Sequence, residues 1–282
     1  MTKWVVLVLF LGWATGAWAS PLAPLRDQLI AKGFDPHYID TLLNRPEAQF
    51  LPQVMPRKLL HDEYKLPYDR FLAPERIAKA QNFLGHYKDF LLTLEKRYGV
   101  PKEVLVAMFL VETDLGHCTG RYRTFNVLAS MALSADWGRV RTYLPENLTP
   151  EEEKRLKAFM ARRARWAFNE LCAFLRLAQR EKFDPLSIKG SIFGAFGLPQ
   201  FVPSSVLSYG IDWDQDGQVN LFELEDALAS MANYLARHGW RDGLSCEEKI
   251  KVIKTYNNSQ PYAETILKVA ERLGYASGCR RD

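Results

Sequence analysis

Over most of the chain, apolar residues recur at intervals of three and four, the spacing of a helix that buries one face. On that pattern helices are predicted over 22–32, 36–43, 74–98, 101–115, 150–181, 224–238, 246–256 and 261–273. Several open with proline or follow Ser, Thr or Asp, and two stop at Gly239 and Gly274, as helix ends do. Strand signals are few: residues 45–66 read as mostly irregular, with 49–54 extended. The prediction is a mainly α fold with few or short strands. The turn-like sequence Tyr98-Gly99-Val100-Pro101 divides an N-terminal helical region, 20–98, from the remainder, 99–282.

The segment at 101–115 departs from the amphipathic rule. Eight consecutive apolar residues run from Val104 to Val111, and a helix apolar on every side belongs in a core. Pro101 opens it and Glu112 follows the run directly. A carboxyl carried from a core to the negative end of a helix dipole holds its proton to higher pH, because burial and dipole both disfavour the anion. That is what a general acid at neutral pH requires. The plain alternative is a helix that simply ends there, with Glu112 in water. Asp114 is the nearest other carboxylate in sequence, and it points well away from Glu112 if the helix continues.

Length and composition narrow the class without selecting a function. A chain of 282 residues, 48% hydrophobic and 25% charged, is an ordinary folded protein of one large domain or two small ones. Its formal charge of +4 suits a polyanionic partner, but the basic residues are scattered and no nucleic-acid partner is expected. Lys3, the apolar run from Trp4 to Ala14, and Ala17-Trp18-Ala19 before Ser20 read as a signal peptide over 1–19. That run is too short to span a bilayer. An exported, periplasmic protein is expected, soluble after cleavage, monomeric and without a stable membrane anchor. In that compartment Cys118, Cys172, Cys246 and Cys279 favour two disulfides, since none has metal or redox spacing. Cys246 and Cys279 bracket two predicted helices joined by a tight turn and are paired on that ground; Cys118 with Cys172 follows by elimination.

Three further stretches carry candidate chemistry. Glycines at 190, 194 and 197 leave backbone open to close approach, and Gln200 adds a donor and an acceptor among apolar neighbours. This suits the floor of a groove for a polyhydroxylated ligand; a glycine-rich loop packing two helices is the plain alternative. Residues 212–223 match the EF-hand loop, with Asp212, Asp214 and Asp216 at its first, third and fifth places, Gly217 at the sixth, Gln218 at the carbonyl position and Glu223 at the last. Carboxylates crowded in this way repel unless a cation sits among them, so calcium is expected as a structural clamp, and no organic cofactor. Tyr256, Asn257 and Tyr262 place hydroxyls, rings and an amide around a helix end, which suits sugar faces, although capping and packing account for the same residues. His37, His61, His86, His117 and His238 have no metal-ligand spacing, and His238 before Gly239 reads as a helix cap.

In this combination and order, the stretches resemble the soluble lytic transglycosylase B family, which cleaves the glycan strands of bacterial peptidoglycan. The resemblance runs from about Tyr68 to Leu273. Val-Glu-Thr-x-x-Gly at 111–116 is similar to the family's catalytic segment and implies Glu112 as the single acid and base. Lys-Gly-Ser to Gln-Phe-x-Pro-Ser-Ser at 189–205 resembles its glycan-binding loop, which implies Ser191 and Gln200 as substrate contacts. Tyr256, Asn257 and Tyr262 match its C-terminal sugar-binding segment. Arg162 and Arg163, before Glu170-Leu171, resemble the arginine pair that meets the peptide or lactyl side of the substrate. Tyr68 matches with a slightly different spacing to Glu112. The family's far calcium ligand lies beyond the regular last loop position, where this chain has Asp226, so Glu223 and Asp226 both qualify. Longer members also carry an insertion between the His-Gly-Trp and Tyr-Asn segments that this chain lacks.

The resemblance implies a lysozyme-like catalytic domain whose Glu112 protonates the bond between N-acetylmuramic acid and N-acetylglucosamine of peptidoglycan. Glu112 then takes the proton from the sugar's own C6 hydroxyl as it closes onto C1, giving a 1,6-anhydro end. The alternatives are a lysozyme-like muramidase, which adds water, and a non-catalytic, calcium-stabilised peptidoglycan-binding protein.

Overall fold

A computed structural model describes residues 20–279, and the signal segment expected over 1–19 lies outside them. In chain order the helices are α1 (Arg26–Ile30), α2 (Pro36–Leu43), α3 (Val54–Leu59), α4 (Pro74–His86), α5 (Lys88–Tyr98) and α6 (Lys102–Thr113). There follow α7 (Thr124–Leu133), α8 (Gly138–Arg141), α9 (Pro150–Arg180), α10 (Pro203–Tyr209), α11 (Leu224–Arg237), α12 (Cys246–Tyr256) and α13 (Gln260–Arg272). A 3-10 turn at Tyr68–Leu72 precedes α4. Two short strands, β1 (Tyr122–Arg123) and β2 (Lys189–Gly190), pair antiparallel, Tyr122 opposite Gly190.

Capping chemistry explains several of the starts. Thr149 accepts the Glu152 backbone N–H while the Glu152 carboxylate accepts that of Thr149, a reciprocal capping box ahead of Pro150. Ser245 and Glu248 repeat the device at α12. The single helix expected over 74–98 is two helices, because Tyr87 (φ −101°, ψ 21°) breaks it. Gly85 weakens the helix there, and the Tyr87 ring lies tilted against Phe83 at 4.5 Å and edge-on to His86 at 4.7 Å between ring centres. Residues 49–54 are not a strand. Their backbone instead takes side-chain partners from α7: Gln49 N–H donates to Asn126 at 3.1 Å and Leu51 N–H to Ser130 at 2.7 Å. No helix was expected at α7, whose residues are nearly all buried and therefore carry no amphipathic stripe.

The arrangement is built around α6. Val104 through Leu110 are each no more than 1% exposed, and α4, α5, α11 and α13 all pack against this helix. Burying one such large aliphatic or aromatic side chain contributes about 1.5–3 kcal/mol. A second layer is formed by α9, which packs on α7 and α10. Residues before and after the left-handed turn at Gly99 (φ 67°) belong to one continuous buried cluster.

Cys246 and Cys279 are joined by a disulfide that ties the start of α12 to the chain beyond α13. The second expected bond is absent: Cys118 and Cys172 are free. Cys118 is exposed in the loop after α6, whereas Cys172 is buried on α9, and a disulfide needs both Cα atoms within about 7 Å. Elimination failed because an even cysteine count does not place two residues together. A thiol reagent is expected to label Cys118 alone in the native protein and Cys172 only after unfolding. A native protein without any reactive thiol would restore the second bond.

Candidate active site

The last residues of α6 carry the candidate acid. After Glu112 and Thr113 the chain reverses through Asp114, Leu115 and Gly116, whose φ values are 52°, 59° and 91°. Leu115 N–H closes onto the Phe109 carbonyl at 3.3 Å and Asp114 N–H onto that of Leu110 at 3.0 Å, a left-handed helix stop. A left-handed Leu costs about 1–2 kcal/mol, so the reversal has to be held from outside. Thr113 Oγ1 donates to the Leu198 carbonyl at 3.0 Å and accepts from Gly116 N–H at 3.1 Å. Asp114 is bound to Arg76 at 2.7 Å and lies 3.7 Å from Lys79, both on α4. Its carboxylate is thus committed elsewhere, by the reversal and the ion pair rather than by helical spacing, since the helix has already ended.

Three tyrosines gather around Glu112. Tyr262, 2% exposed, donates its hydroxyl to Glu112 Oε1 at 2.6 Å. The buried Ser259, N-cap of α13, accepts the Tyr262 backbone N–H at 3.2 Å and so sets the ring's starting point. Tyr68 meets Tyr262 edge-on at 6.3 Å between ring centres. Tyr256 donates to the Pro199 carbonyl. Burial, and then the Glu112 carboxylate, raise the pKa of both Tyr256 and Tyr262 well above the ordinary value. Both hydroxyls therefore stay protonated and act as donors. Asn257 ends α12 in extended backbone between these tyrosines.

The glycine-rich loop packs directly beneath. A Cβ on Gly120 would lie 2.1 Å from the Gly190 carbonyl carbon, and one on Gly197 would lie 2.6 Å from Leu221 Cβ. Ser191 Oγ accepts from Phe193 N–H at 3.3 Å and Ala195 N–H at 3.1 Å, so a ligand can use this hydroxyl only as a donor. Gln200 donates from Nε2 to the carbonyls of Thr119 and Gly197 at 3.0 and 2.9 Å. Its side-chain oxygen remains as the acceptor. Structure thus brings Glu112, Tyr68, Tyr256, Tyr262 and the loop carrying Gln200 together, with Thr113, a motif residue to which the sequence assigned no role, and Ser259 as positioning residues. Ser259 was detectable as the residue two before Pro261; nothing in sequence marks Thr113 as a tie to Leu198.

Arg162 and Arg163 are neighbours on α9 in different surroundings. Arg162 is exposed. Arg163 lies with its guanidinium 3.4 Å from the Trp166 ring centre and its Nε buried without a hydrogen-bond partner. Burial lowers its pKa to about 10, against the pull of Glu170, so it remains a cation at neutral pH. Buried Glu170 in turn accepts from Ser204, N–H at 2.9 Å and hydroxyl at 2.7 Å, and caps α10.

In the acidic loop, Asp212, Asp214 and Asp216 each offer an oxygen within 4.8 Å of the others. Asp212 Oδ2 accepts from Gly217 N–H at 2.9 Å, while its Oδ1 is buried and has no hydrogen-bond partner. A buried, unpartnered carboxylate oxygen facing two more acids fits a cation. Glu223 is exposed and accepts from Asn220 Nδ2 at 2.7 Å. Asp226, 1% exposed, accepts from the backbone N–H groups of Trp213 and Asn220 at 2.7 and 2.8 Å. Burial raises its pKa, and Asp214 and Asp212 push the same way. The loop also touches the segment that holds the end of α6, since Leu221 accepts from Leu198 N–H at 2.7 Å.

The described residues thus form a mainly helical fold with one short two-stranded ladder and a carboxyl at the end of its central helix. The transglycosylase SLT domain matches residues 17–252, and the chain belongs to that family. Membrane-bound lytic murein transglycosylase B of Escherichia coli (strain K12) is 34% identical over 174 residues, 62% of this chain and 41% of the relative. The match thus spans about two fifths of that relative's length. The fold is similar to the crystal structure of soluble lytic transglycosylase SltB1 from Pseudomonas aeruginosa, with a TM-score of 0.73, 24% identity, and coverage of 92% of this chain and 99% of that one. It is also similar to Escherichia coli lytic transglycosylase Slt35 in complex with calcium, with a TM-score of 0.69, 24% identity, and coverage of 90% and 93%. Among the described residues no helix is long and apolar enough to cross a membrane.

Tyr262→Phe keeps the packed ring and removes only the hydroxyl that holds Glu112. Any activity that depends on Glu112 is expected to fall by about tenfold or more, with thermal stability lowered by only about 1 kcal/mol. Unchanged activity would separate Tyr262 from the chemistry.

Proposed function

We propose that this protein is a lytic murein transglycosylase. It cleaves the bond between N-acetylmuramic acid and N-acetylglucosamine in peptidoglycan without adding water. One observation carries the reading: Glu112 stands at the end of a helix whose residues Val104 to Leu110 are buried, with Oε1 held by Tyr262, while Asp114, the nearest carboxylate in sequence, is bound to Arg76. Glu112 in its protonated form carries the proton that the reaction needs. That proton goes to the glycosidic oxygen, and positive charge develops on the muramoyl ring. Ordinary retaining or inverting hydrolysis needs a second carboxylate at a set distance. Here the ionised Glu112 takes the proton of the sugar's C6 hydroxyl, whose oxygen closes onto C1. An attached nucleophile gains from proximity and needs no second acid.

The proposed substrate contacts are the residues that the sequence motifs mark around Glu112. Ser191 donates, Gln200 accepts through its side-chain oxygen, and Tyr68, Tyr256 and Asn257 line the sugar beside Tyr262. Arg162 and Arg163 supply cations toward the lactyl or peptide side. The protein is exported and acts in the periplasm, a reading supported by the leader-like sequence of residues 1–19.

Glu112→Gln is expected to abolish turnover in a folded protein. Mass spectrometry of products from purified sacculi is expected to find saccharide ends lighter by one water than hydrolysed ones. Reducing ends carrying added water would instead make the protein a muramidase, and binding to sacculi without release of soluble fragments would make it a non-catalytic binder.

Calcium is the proposed occupant of the acidic loop. Asp212, Asp214 and Asp216 would hold it, with the Gln218 carbonyl and the exposed Glu223; Asp226 braces the loop from inside through Trp213 and Asn220. When bound, the ion supplies charge neutralisation that stabilises the folded state. Ligand at about a hundred times its Kd adds about 2.7 kcal/mol. A chelator is expected to lower the melting temperature of the wild type and to leave Asp212→Asn unchanged. A wild-type melt indifferent to chelator would leave the loop without a metal role.

A further inference from the structure

Lys249 is 8% exposed, an unusual place for a lysine, on a helix whose Glu247, Lys251 and Thr255 are exposed. Its Nζ donates to the Ser277 carbonyl and stands 5.2 Å from the centre of the Tyr275 ring. No ion pair to it occurs among the described residues. Both partners belong to the segment after α13, which the Cys246–Cys279 disulfide closes onto the start of α12. Ser277, 2% exposed, seats that segment by donating its hydroxyl to the Glu271 carboxylate, and Tyr275 N–H donates to the Ala270 carbonyl at 3.0 Å. A buried lysine nitrogen without an acceptor is costly. Lys249 is therefore tolerated where it is only while residues 275–279 stay in place.

The consequence reaches the candidate site through α12. Lys249, Val252, Ile253 and Tyr256 share one face of this helix by their spacing, and α12 packs mainly on α13. The two helices form a hairpin with the disulfide and Lys249 at its base and Tyr256, Ser259 and Tyr262 at its tip. Tyr256 reaches the Pro199 carbonyl, next to Gln200, and Tyr262 reaches Glu112. Cys246 lies about 15 Å from Tyr256 along the axis, and a helix carries a shift at one end to the other. Cys246 and Cys279 are half-buried, with exposed Glu247 and Gly278 beside them, so a thiol can reach the bond.

We propose that this disulfide is a redox control on the candidate site. Oxidised, it holds Ser277 and Tyr275 against Lys249 and keeps α12 in register with α13; reduced, it frees the segment, leaves Lys249 without its acceptor and loosens Tyr256 and Tyr262. The step is an exchange with a dithiol. One thiolate of the dithiol attacks a sulfur of the bond, its second thiol resolves the mixed disulfide, and the protein gains the two electrons and two protons that the dithiol gives up on closing to its own disulfide. The effect on activity rests on the transglycosylase reading, whereas the effect on the hairpin does not.

Wild type and Lys249→Met are compared with and without dithiothreitol, complete reduction being verified by the mass gained on alkylation of Cys246 and Cys279. Release of soluble fragments from sacculi and hydrogen exchange of the backbone amides over 256–262 are both followed. Reduction of the wild type is expected to lower release about tenfold and to speed exchange about tenfold, the scale of one charge-assisted hydrogen bond, and reoxidation to restore both. Cys279→Ser gives the open form without reductant and is expected to match the reduced wild type. Met fills a similar volume and needs no acceptor, so Lys249→Met is expected to keep its activity and exchange rates in both redox states. Indifference of the reduced wild type or of Cys279→Ser would overturn the proposal. So would equal sensitivity in Lys249→Met, which would make the bond a plain staple, or a loss that reoxidation does not reverse. A wild type that releases nothing from sacculi in either state counts against the transglycosylase reading alone, and the exchange rates then decide.

Discussion

A helix that is apolar on every face has to be enclosed, and enclosing α6 organises the rest of this molecule. Four helices surround it, drawn from both sides of the Gly99 turn, so the N-terminal helices are part of the same core as the later ones. Enclosure also dictates where polar chemistry can occur on α6. Its interior residues are used up in packing, and polar partners are met only at its two ends, by Lys102 in the first turn and by Glu112 and Thr113 in the last. The candidate acid is therefore held at the end of a helix enclosed by its neighbours.

That position requires the chain to leave α6 abruptly, and the reversal is secured from three directions. Thr113 reaches the carbonyl of Leu198, Asp114 reaches Arg76 and Lys79, and Leu115 closes back on Phe109. Leu198 is itself bound to Leu221 in the acidic loop, and Glu181 at the end of α9 accepts from Val219 N–H at 3.0 Å. The acidic loop, the glycine-rich loop and the end of α6 form one run of hydrogen bonds. The close approaches at Gly120 and Gly197 belong to this run, because a side chain at either place would separate the layers.

Much of the helical skeleton was legible as periodicity and caps: α2, α9, α11, α12 and α13 lie within a residue of their expected limits. The misses have identifiable causes. In α7 almost every residue is buried, so it shows no polar face against which a period could be read. Short helices such as α3 and α10 are stabilised by docking, not by their own sequence. The 74–98 segment kept its helical period across Tyr87, but α4 packs against α6 whereas α5 packs against both α6 and α11, and the chain bends between them. Cysteine pairing was legible where two cysteines bracket a helical hairpin and illegible where one was assigned by exclusion.

Sequence alone determined the kinds of chemistry available: a carboxyl following eight apolar residues, a glycine-rich loop, three aspartates at EF-hand spacing, and tyrosines around a helix end. These are local properties, set by residue type and spacing within a few turns of chain. Tertiary structure decided which groups are free to act. Glu112 is separated from Tyr262 by 150 residues in sequence and by 2.6 Å in space, while Asp114, two residues from Glu112, is taken out of play by Arg76. Hydrogen bonds and ion pairs act over a few ångströms, and only the packing of α4, α6 and α13 brings those atoms within that range.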